Sequence, residues 1–233
     1  MKDLIGLAIQ DYYNDNFTEE IYTETSISEE DILPVSYLFR EYDEMPVLEQ
    51  KALQLARGTV LDIGCGAGSH SLYLQNKKKV DVTALDISEG AIEVCKNRGV
   101  EKTVHGNVFQ LKNEEYDTVL LLMNGTGIFE RYKEVPNKLK HLKSLLKKDG
   151  QILIDSSDII YMFDEDEDGG KWIPMDGDYY GELSYTLKYK GQTETTSWLY
   201  LDFDTLQTLA EMAGLTCELI AEGDHYDYLA RLY

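Results

Sequence analysis

Residues Val60 to Leu74, VLDIGCGAGSHSLYL, constrain the fold more than any other stretch of this chain. An apolar run carrying Asp62 leads into Gly64, Gly66 and Gly68 at every second position, and an amphipathic pattern follows. That order reads as strand, tight turn and helix start. Glycine has no Cβ, so such a turn lets backbone come close to a ligand. The rest of the chain reads as support for that crevice or as a cover over it.

From Thr59 onward, short strands alternate with helices, the signature of a parallel sheet. The strands are expected at Thr59 to Ile63, Val80 to Leu85, Thr103 to His105, Thr118 to Met123 and Gln151 to Ile154. The run at Thr118 is continuously apolar, as in a centre strand buried on both faces. Helices are expected at about Ser69 to Asn76, after Ser88 as N-cap with Gly99 as stop, and from Pro136 to Asp149-Gly150. The alternation breaks at Ser156. A hairpin follows, in which Leu183, Tyr185, Leu187 and Tyr189 alternate with polar residues. Lys190-Gly191-Gln192 forms its turn, and Thr193 to Tyr200 returns. A helix through Leu206 to Ala213 and an antiparallel strand pair, Leu215 to Ala221 and Tyr226 to Leu232, finish the chain.

The N-terminal stretch carries nine acidic residues and no lysine or arginine between residues 3 and 39. Leu4 to Tyr13 has helical spacing, and Asn14 to Ser26 reads as loop or a short helix. Ser28 and Asp31 have capping-box spacing, Pro34 can open a short helix to Arg40, and Pro46 opens a further one stopped by Gly58. The expectation is one body of 233 residues. It comprises a helical cap (1–57), a cofactor-binding core (58–155), an inserted loop and hairpin (156–198) and a closing helix and strand pair (199–233). The fold class is α/β, a Rossmann-like three-layer sandwich. Its mostly parallel seven-stranded sheet has an antiparallel last strand.

Composition narrows the partners. A formal net charge of -21 repels phosphate backbones and anionic membrane surfaces. No apolar run is long enough to span a bilayer, and the N-terminus lacks signal-peptide character, so a cytoplasmic location is expected. Cys65, Cys95 and Cys217 are scattered and read as reduced thiols, with no metal site. The acidic run Asp164 to Asp168 reads as a solvated loop.

A glycine turn after a strand serves three ligand classes. A Walker loop needs Gly-Lys-Ser/Thr, which is missing. A dinucleotide fingerprint needs GxGxxG, whereas this chain has GxGxG with His70 after Ser69. For S-adenosylmethionine the pattern is an acid, one residue, then GxGxG, and Asp62, Gly64, Gly66 and Gly68 fill it. The acid wanted at the end of the next strand is Asp86, in ALDIS.

On these residues the chain resembles the class I S-adenosylmethionine-dependent methyltransferases. The resemblance is strongest from Thr59 to Asp155 and returns from Leu199 to the end. It implies that Gly64 and Gly66 line the methionine part of the cofactor and that Asp62 helps hold its amino group. It implies that Asp86 binds the ribose and Ile87 packs on adenine. Asn107 and Val108 would edge that ring, and Met123 and Asn124 would sit near the methionyl end. Asn107 stands where the family commonly has aspartate. Its side-chain oxygen can still accept from the adenine amino group, and a turn role after Gly106 is the alternative.

Methyl transfer from a sulfonium is an in-line displacement, so alignment matters more than a catalytic base. Asn124, Asp155 and Asp158 follow the fourth and fifth strands and should face the substrate, while His225 and Tyr226 lie in a turn. His70 reads as structural. The strand-four ending, Met123-Asn124-Gly125, lacks the Pro-Pro-aromatic signature of methyltransferases acting on nucleobase or glutamine nitrogens. A small-molecule acceptor is therefore expected. Aromatic residues around Tyr37, Tyr179, Tyr180 and Trp172 would wall its cavity, and Tyr42 would close over the cofactor as part of FREYDEMP. A nicotinamide-dependent oxidoreductase and a non-catalytic cofactor-binding protein are the competing readings. No pattern marks an oligomeric state.

Overall fold

The computed structural model describes residues 2–166, 168, 170–173 and 179–233. In chain order it contains α1 (Leu4–Tyr13), β1 (Ile21–Thr25), β2 (Ser28–Leu33), α2 (Val47–Leu55), β3 (Thr59–Ile63), α3 (Ser69–Tyr73), β4 (Asp81–Asp86) and α4 (Glu89–Asn97). There follow β5 (Thr103–His105), β6 (Tyr116–Leu121), α5 (Val135–Ser144), β7 (Leu146–Ser157), β8 (Glu182–Tyr189), β9 (Gln192–Leu199), α6 (Phe203–Met212), β10 (Cys217–Glu222) and β11 (Asp227–Leu232).

Seven strands form the central sheet in the order β10-β11-β7-β6-β3-β4-β5. Strands β3 to β7 pair in parallel, and β11 enters antiparallel between β7 and β10. Side chains alternate across the pleat. Leu61, Val119, Leu121, Ile152 and Ile154 point toward α5 and α6, where Leu139, Leu142, Leu206 and Leu209 complete one core. Val60, Leu120 and Leu153 point the other way, onto Leu48, Ala52 and Leu53 of α2. Helix α4 covers β4 on that second face through Ile92 and Cys95. This is the expected sandwich, and it brings the carboxyl ends of β3, β4, β6 and β7 to one edge.

The N-terminal stretch departs from the expected helical cap. Ser28 to Asp31 lie in a strand, not at a helix start, and Ile21 to Thr25 pair with it in a hairpin. The Ser28 hydroxyl accepts from Thr25 N (3.2 Å) and Thr25 Oγ1 (2.8 Å), so its oxygen closes a turn instead of capping a helix. Strand β1 then pairs with β8, and β8 with β9, giving a four-stranded antiparallel sheet, β2-β1-β8-β9. The partner strand lies some 160 positions away, beyond any local pattern. Exposed Glu29, Glu30 and Asp31 on the outer strand are typical of a protected sheet edge. Lys188 of β8 stitches the two hairpins by bonding Glu24 (2.7 Å) and Glu30 (2.8 Å).

This second sheet rests on the carboxyl edge of the first. A Cβ on Gly127 would sit 2.1 Å from the Trp198 ring, so β9 presses an indole onto the loop that follows β6. Thr126 Oγ1 donates to Leu199 O (2.9 Å) and lies 2.7 Å from Ser156 Oγ, fastening the loop after β6 to β7 and β9. The N-terminal helix α1 packs on α4, with Asp3 as its N-cap. Asp3 also accepts from Gly90 N (3.1 Å) at the start of α4. No described helix is long and apolar enough to cross a membrane.

Candidate functional site

The glycine turn hangs from β4, since Gly64 N (2.8 Å) and Cys65 N (3.2 Å) both donate to Leu85 O. All three glycines have positive φ: +70°, +53° and +86°. Their roles differ. A Cβ on Gly64 or Gly66 would meet nothing within 4 Å, so both face open space. A Cβ on Gly68 would lie 2.9 Å from Cys95 Sγ and 3.2 Å from Val100. Gly68 therefore permits close packing of α4 and does not border the open side.

Asp62 lies beneath this turn and is 1 % exposed. It accepts from Ser71 Oγ at 2.6 Å, which ties β3 to α3. Burial raises its pKa, opposed by His70 and Ser71. Asp86 ends β4. Its Oδ2 accepts from Gly66 N (2.9 Å) and its Oδ1 from Ser88 N (2.8 Å), so one carboxylate sets the glycine turn and the entry to α4. Burial raises its pKa too, and those two bonds counteract it. Ile87 beside it is 54 % exposed, an apolar side chain left at the rim. Asn107 Oδ1 accepts from Phe109 N (2.9 Å), the geometry of a turn residue. Val108 is buried, and its carbonyl bonds His141 (2.9 Å).

Met123 and Asn124 both adopt left-handed backbone, φ +67° and +58°, uncommon for two successive residues other than glycine. Asp155 at the end of β7 supports this corner. Its Oδ2 accepts from Met123 N (3.0 Å) and its Oδ1 from Gly125 N (2.9 Å). Burial pushes the Asp155 carboxyl up to about 7; the Gly125 and Met123 N–H groups and His70 act the other way, and Glu49 adds to the rise. Ser157 Oγ donates to Asn124 Oδ1 (3.2 Å).

Tyr42 is not brought to the glycine turn. Its ring stacks on Tyr73 at 4.1 Å and its hydroxyl accepts from Gln54 (2.7 Å), so it packs between α2 and α3. Two neighbours, Tyr37 and Arg40, reach the polar cluster instead. Arg40, Glu49 and His70 are each under 8 % exposed. Arg40 Nη2 pairs with Glu49, and His70 Nε2 lies 2.7 Å from the same carboxylate oxygen. The guanidinium covers the Tyr37 ring at 3.9 Å, and its Nε has no partner. Burial opposes charge on both Glu49 and His70. Their mutual bond, with Arg40 on one side and Asp62 on the other, outweighs it: Glu49 falls below the usual carboxylate range and His70 rises above the usual imidazole value. Arg40 and Glu49 went unnoticed in the sequence. The available signal was Glu49 itself, three and four positions before Ala52 and Leu53 on the buried face of α2.

Of the residues expected to face the acceptor, Asp158 takes a bond from Tyr180 OH (2.7 Å), and Asp202 beside it takes bonds from Tyr179 OH (2.5 Å) and Tyr180 OH (3.3 Å). Tyr226 stacks on Tyr161 (4.9 Å), and its carbonyl accepts from Asp158 N (2.9 Å). His225 is exposed. Trp172 is 73 % exposed. Within the acidic run Glu167 lies outside the described residues, and Lys171 pairs with Glu165 at 2.9 Å. Among the described residues no group of three or more His, Cys, Asp or Glu is placed to hold a metal ion. A separate cleft of about 470 Å³ opens near Arg57, Lys147 and Arg231, away from the glycine turn.

A family model described as a methyltransferase domain matches residues 60–150. A demethylmenaquinone methyltransferase of Leptospira interrogans is 28% identical over 179 residues, and the chain spans 66% of that relative's length. An amino pentose methyltransferase of Micromonospora echinaspora, solved with S-adenosylmethionine, superposes with a TM-score of 0.59 at 12% identity, over 88% of this chain and 98% of that one; this likeness is one of fold. An S-adenosylmethionine-dependent methyltransferase of Bacteroides fragilis, solved with S-adenosylhomocysteine, has a TM-score of 0.91. It is 44% identical, over 100% of this chain and 94% of that one. With the glycine turn, Asp86 and the β6 corner set on a sheet matched over its whole length, the chain belongs to the family of S-adenosylmethionine-dependent methyltransferases.

Proposed function

We propose that this chain binds S-adenosylmethionine at the carboxyl edge of the seven-stranded sheet and transfers its methyl group to a small-molecule acceptor. The observation that carries the reading is the open space in front of Gly64 and Gly66, bordered by the Asp86 carboxylate and the exposed Ile87. These residues fit the cofactor. Asp86 would receive the ribose hydroxyls, Ile87 would face adenine, and Asn107 and Val108 would lie at its edge. Met123 and Asn124 would border the methionyl end. Arg40, a buried guanidinium with an unused donor, is the charge a carboxylate would seek. Asp62 is already bonded to Ser71, so it acts through the turn it supports. The cofactor supplies a methyl group already activated on a sulfonium, and the chain supplies alignment, worth about 7–11 kcal/mol in favourable cases.

The small-molecule acceptor is supported by the net charge of -21, which disfavours nucleic acid. Three unpaired, buried cysteines fit a reducing compartment such as the cytoplasm. The test is a thermal-shift comparison of S-adenosylmethionine, S-adenosylhomocysteine and NAD, with Asp86→Ala as control. At a hundredfold excess over Kd a ligand stabilises by about 2.7 kcal/mol, roughly 5–11 °C for a chain of this size. Shifts with the first two ligands that vanish in the variant support the reading. A shift with NAD alone would establish the oxidoreductase alternative.

A further inference from the structure

We propose that helix α1 is a positioning element for the cofactor's ribose: Asp3 and Gly6 hold the start of α4, and through it Asp86, in the geometry that receives the ribose hydroxyls. The inference rests on the cofactor reading above and adds the residues that keep its ribose-binding acid in place.

The first observation is the seam between α1 and α4. A Cβ on Gly90, in the first turn of α4, would lie 2.7 Å from Gly6 C and 2.8 Å from Gly6 O, so the two helices meet backbone to backbone. A Cβ on Gly6 would overlap Ser88 Oγ and stand 2.5 Å from both carboxylate oxygens of Asp3. Ser88 is the residue whose N–H donates to Asp86 Oδ1 (2.8 Å), and its hydroxyl accepts from Ala91 N (2.9 Å) as the cap of α4. Gly6 thus packs on the residue that holds one oxygen of Asp86; Gly66 N holds the other (2.9 Å). One N–H on each oxygen fixes the carboxylate, and each oxygen keeps an acceptor position for a hydroxyl.

The second observation is how α1 is pinned there. Asp3 divides its carboxylate between the two helices: Oδ1 accepts from Gly6 N (3.1 Å) and Oδ2 from Gly90 N (3.1 Å). It does so from a left-handed backbone, φ +38°, a strained state for an aspartate that persists only where its surroundings hold it. Glu194 of β9 fixes the flanking residues, accepting from Lys2 N (2.7 Å) and Leu4 N (3.2 Å). One turn further on, Ile9 is sealed in a cluster with Ala91 and Val94 of α4 and Ala67 of the glycine turn. Helix α1 therefore braces both arms that grip Asp86: Ser88 through Gly6, and the glycine turn through Ile9. A binding group is effective only when its supports hold it to within about 0.5 Å. Alanine at Gly6 would drive the Ser88 hydroxyl from Ala91 N and the Asp3 carboxylate from its two donors, and Asp86 would lose that support.

The experiment is a calorimetric titration of wild type, Gly6→Ala and Asp3→Ala with S-adenosylhomocysteine and with its analogue lacking both ribose hydroxyls. Wild type should bind S-adenosylhomocysteine at least about tenfold tighter than the analogue. In each variant S-adenosylhomocysteine should weaken by at least about tenfold and the analogue, which offers Asp86 nothing to hold, by less than about twofold. Unchanged S-adenosylhomocysteine affinity in the variants, or an equal loss for both ligands, would overturn the proposal and leave the cofactor reading intact. Equal binding of the two ligands by wild type would overturn the ribose contact and the proposal with it. Failure of wild type to bind S-adenosylhomocysteine at all would overturn the cofactor reading as well. Asp3→Ala adds no bulk to the seam, so it carries the test even if Gly6→Ala fails to fold.

Discussion

Alanine at Gly66 and alanine at Gly68 should fail in different ways, although the two glycines stand two positions apart in one motif. Both have positive φ, so either alanine costs about 1–2 kcal/mol for a left-handed residue with a Cβ. At Gly66 nothing else is touched. The expected loss for the unliganded protein is therefore roughly 2–8 °C in Tm. At Gly68 the new methyl lies 2.9 Å from Cys95 Sγ and 3.2 Å from Val100, so α4 must move. Overpacking adds about 1–3 kcal/mol. The total of about 2–5 kcal/mol corresponds to roughly 4–20 °C. Adding S-adenosylhomocysteine should reverse the ranking. Gly66→Ala puts a methyl into the crevice and should abolish the ligand-induced shift. Gly68→Ala points its methyl away and should keep most of it. The assay is thermal unfolding of both variants with and without ligand. A wild-type ligand shift in Gly66→Ala would refute the assignment of the open side to the cofactor.

Three further outcomes follow from particular contacts. Tyr42→Ala should lower Tm, because it removes the stack on Tyr73 and the bond from Gln54, yet leave S-adenosylhomocysteine affinity measured by calorimetry unchanged. Thr126→Val should cost about 1–3 kcal/mol in a urea titration, because Leu199 O and Ser156 Oγ lose a buried partner. Asp117 is held down to about 2 by Thr59 N–H, Lys147 and the Thr59 hydroxyl. A depressed carboxylate stabilises fully above its unfolded value of about 3.8 and less as pH falls toward 2. The Tm gap between wild type and Asp117→Asn should thus be constant above about pH 5 and narrow between about pH 4 and pH 2.

The seven-stranded sheet could be read from the sequence because each of its signals is local. Thr59 to Ile63, the Ser88 cap and Gly99 announce themselves within a few residues, and the structure places them as expected. The hairpin of β8 and β9 was visible for the same reason, through its alternation and the Lys190-Gly191 turn. Strands β1 and β2 were missed because Ile21 to Leu33 has weak alternation and draws its support from β8. The site divides along the same line. Asp62, Gly64, Gly66 and Asp86 stand in a motif whose spacing follows from one strand–turn–helix unit. Arg40 and Glu49 belong to no motif; they matter because α2 carries them against His70. Tyr42 misled because odd composition marks a functional segment without saying which of its aromatics turns inward.

The central claim is that the crevice before Gly64 and Gly66 is the methyl-donor site, and an experimental structure with S-adenosylhomocysteine bound tests it most directly. The account predicts the ribose hydroxyls on Asp86, the adenine against Ile87 and the thioether sulfur facing the Met123–Asn124 corner beside Asp155. S-adenosylhomocysteine found elsewhere, with Asp86 still bonded only to Gly66 and Ser88, would contradict it.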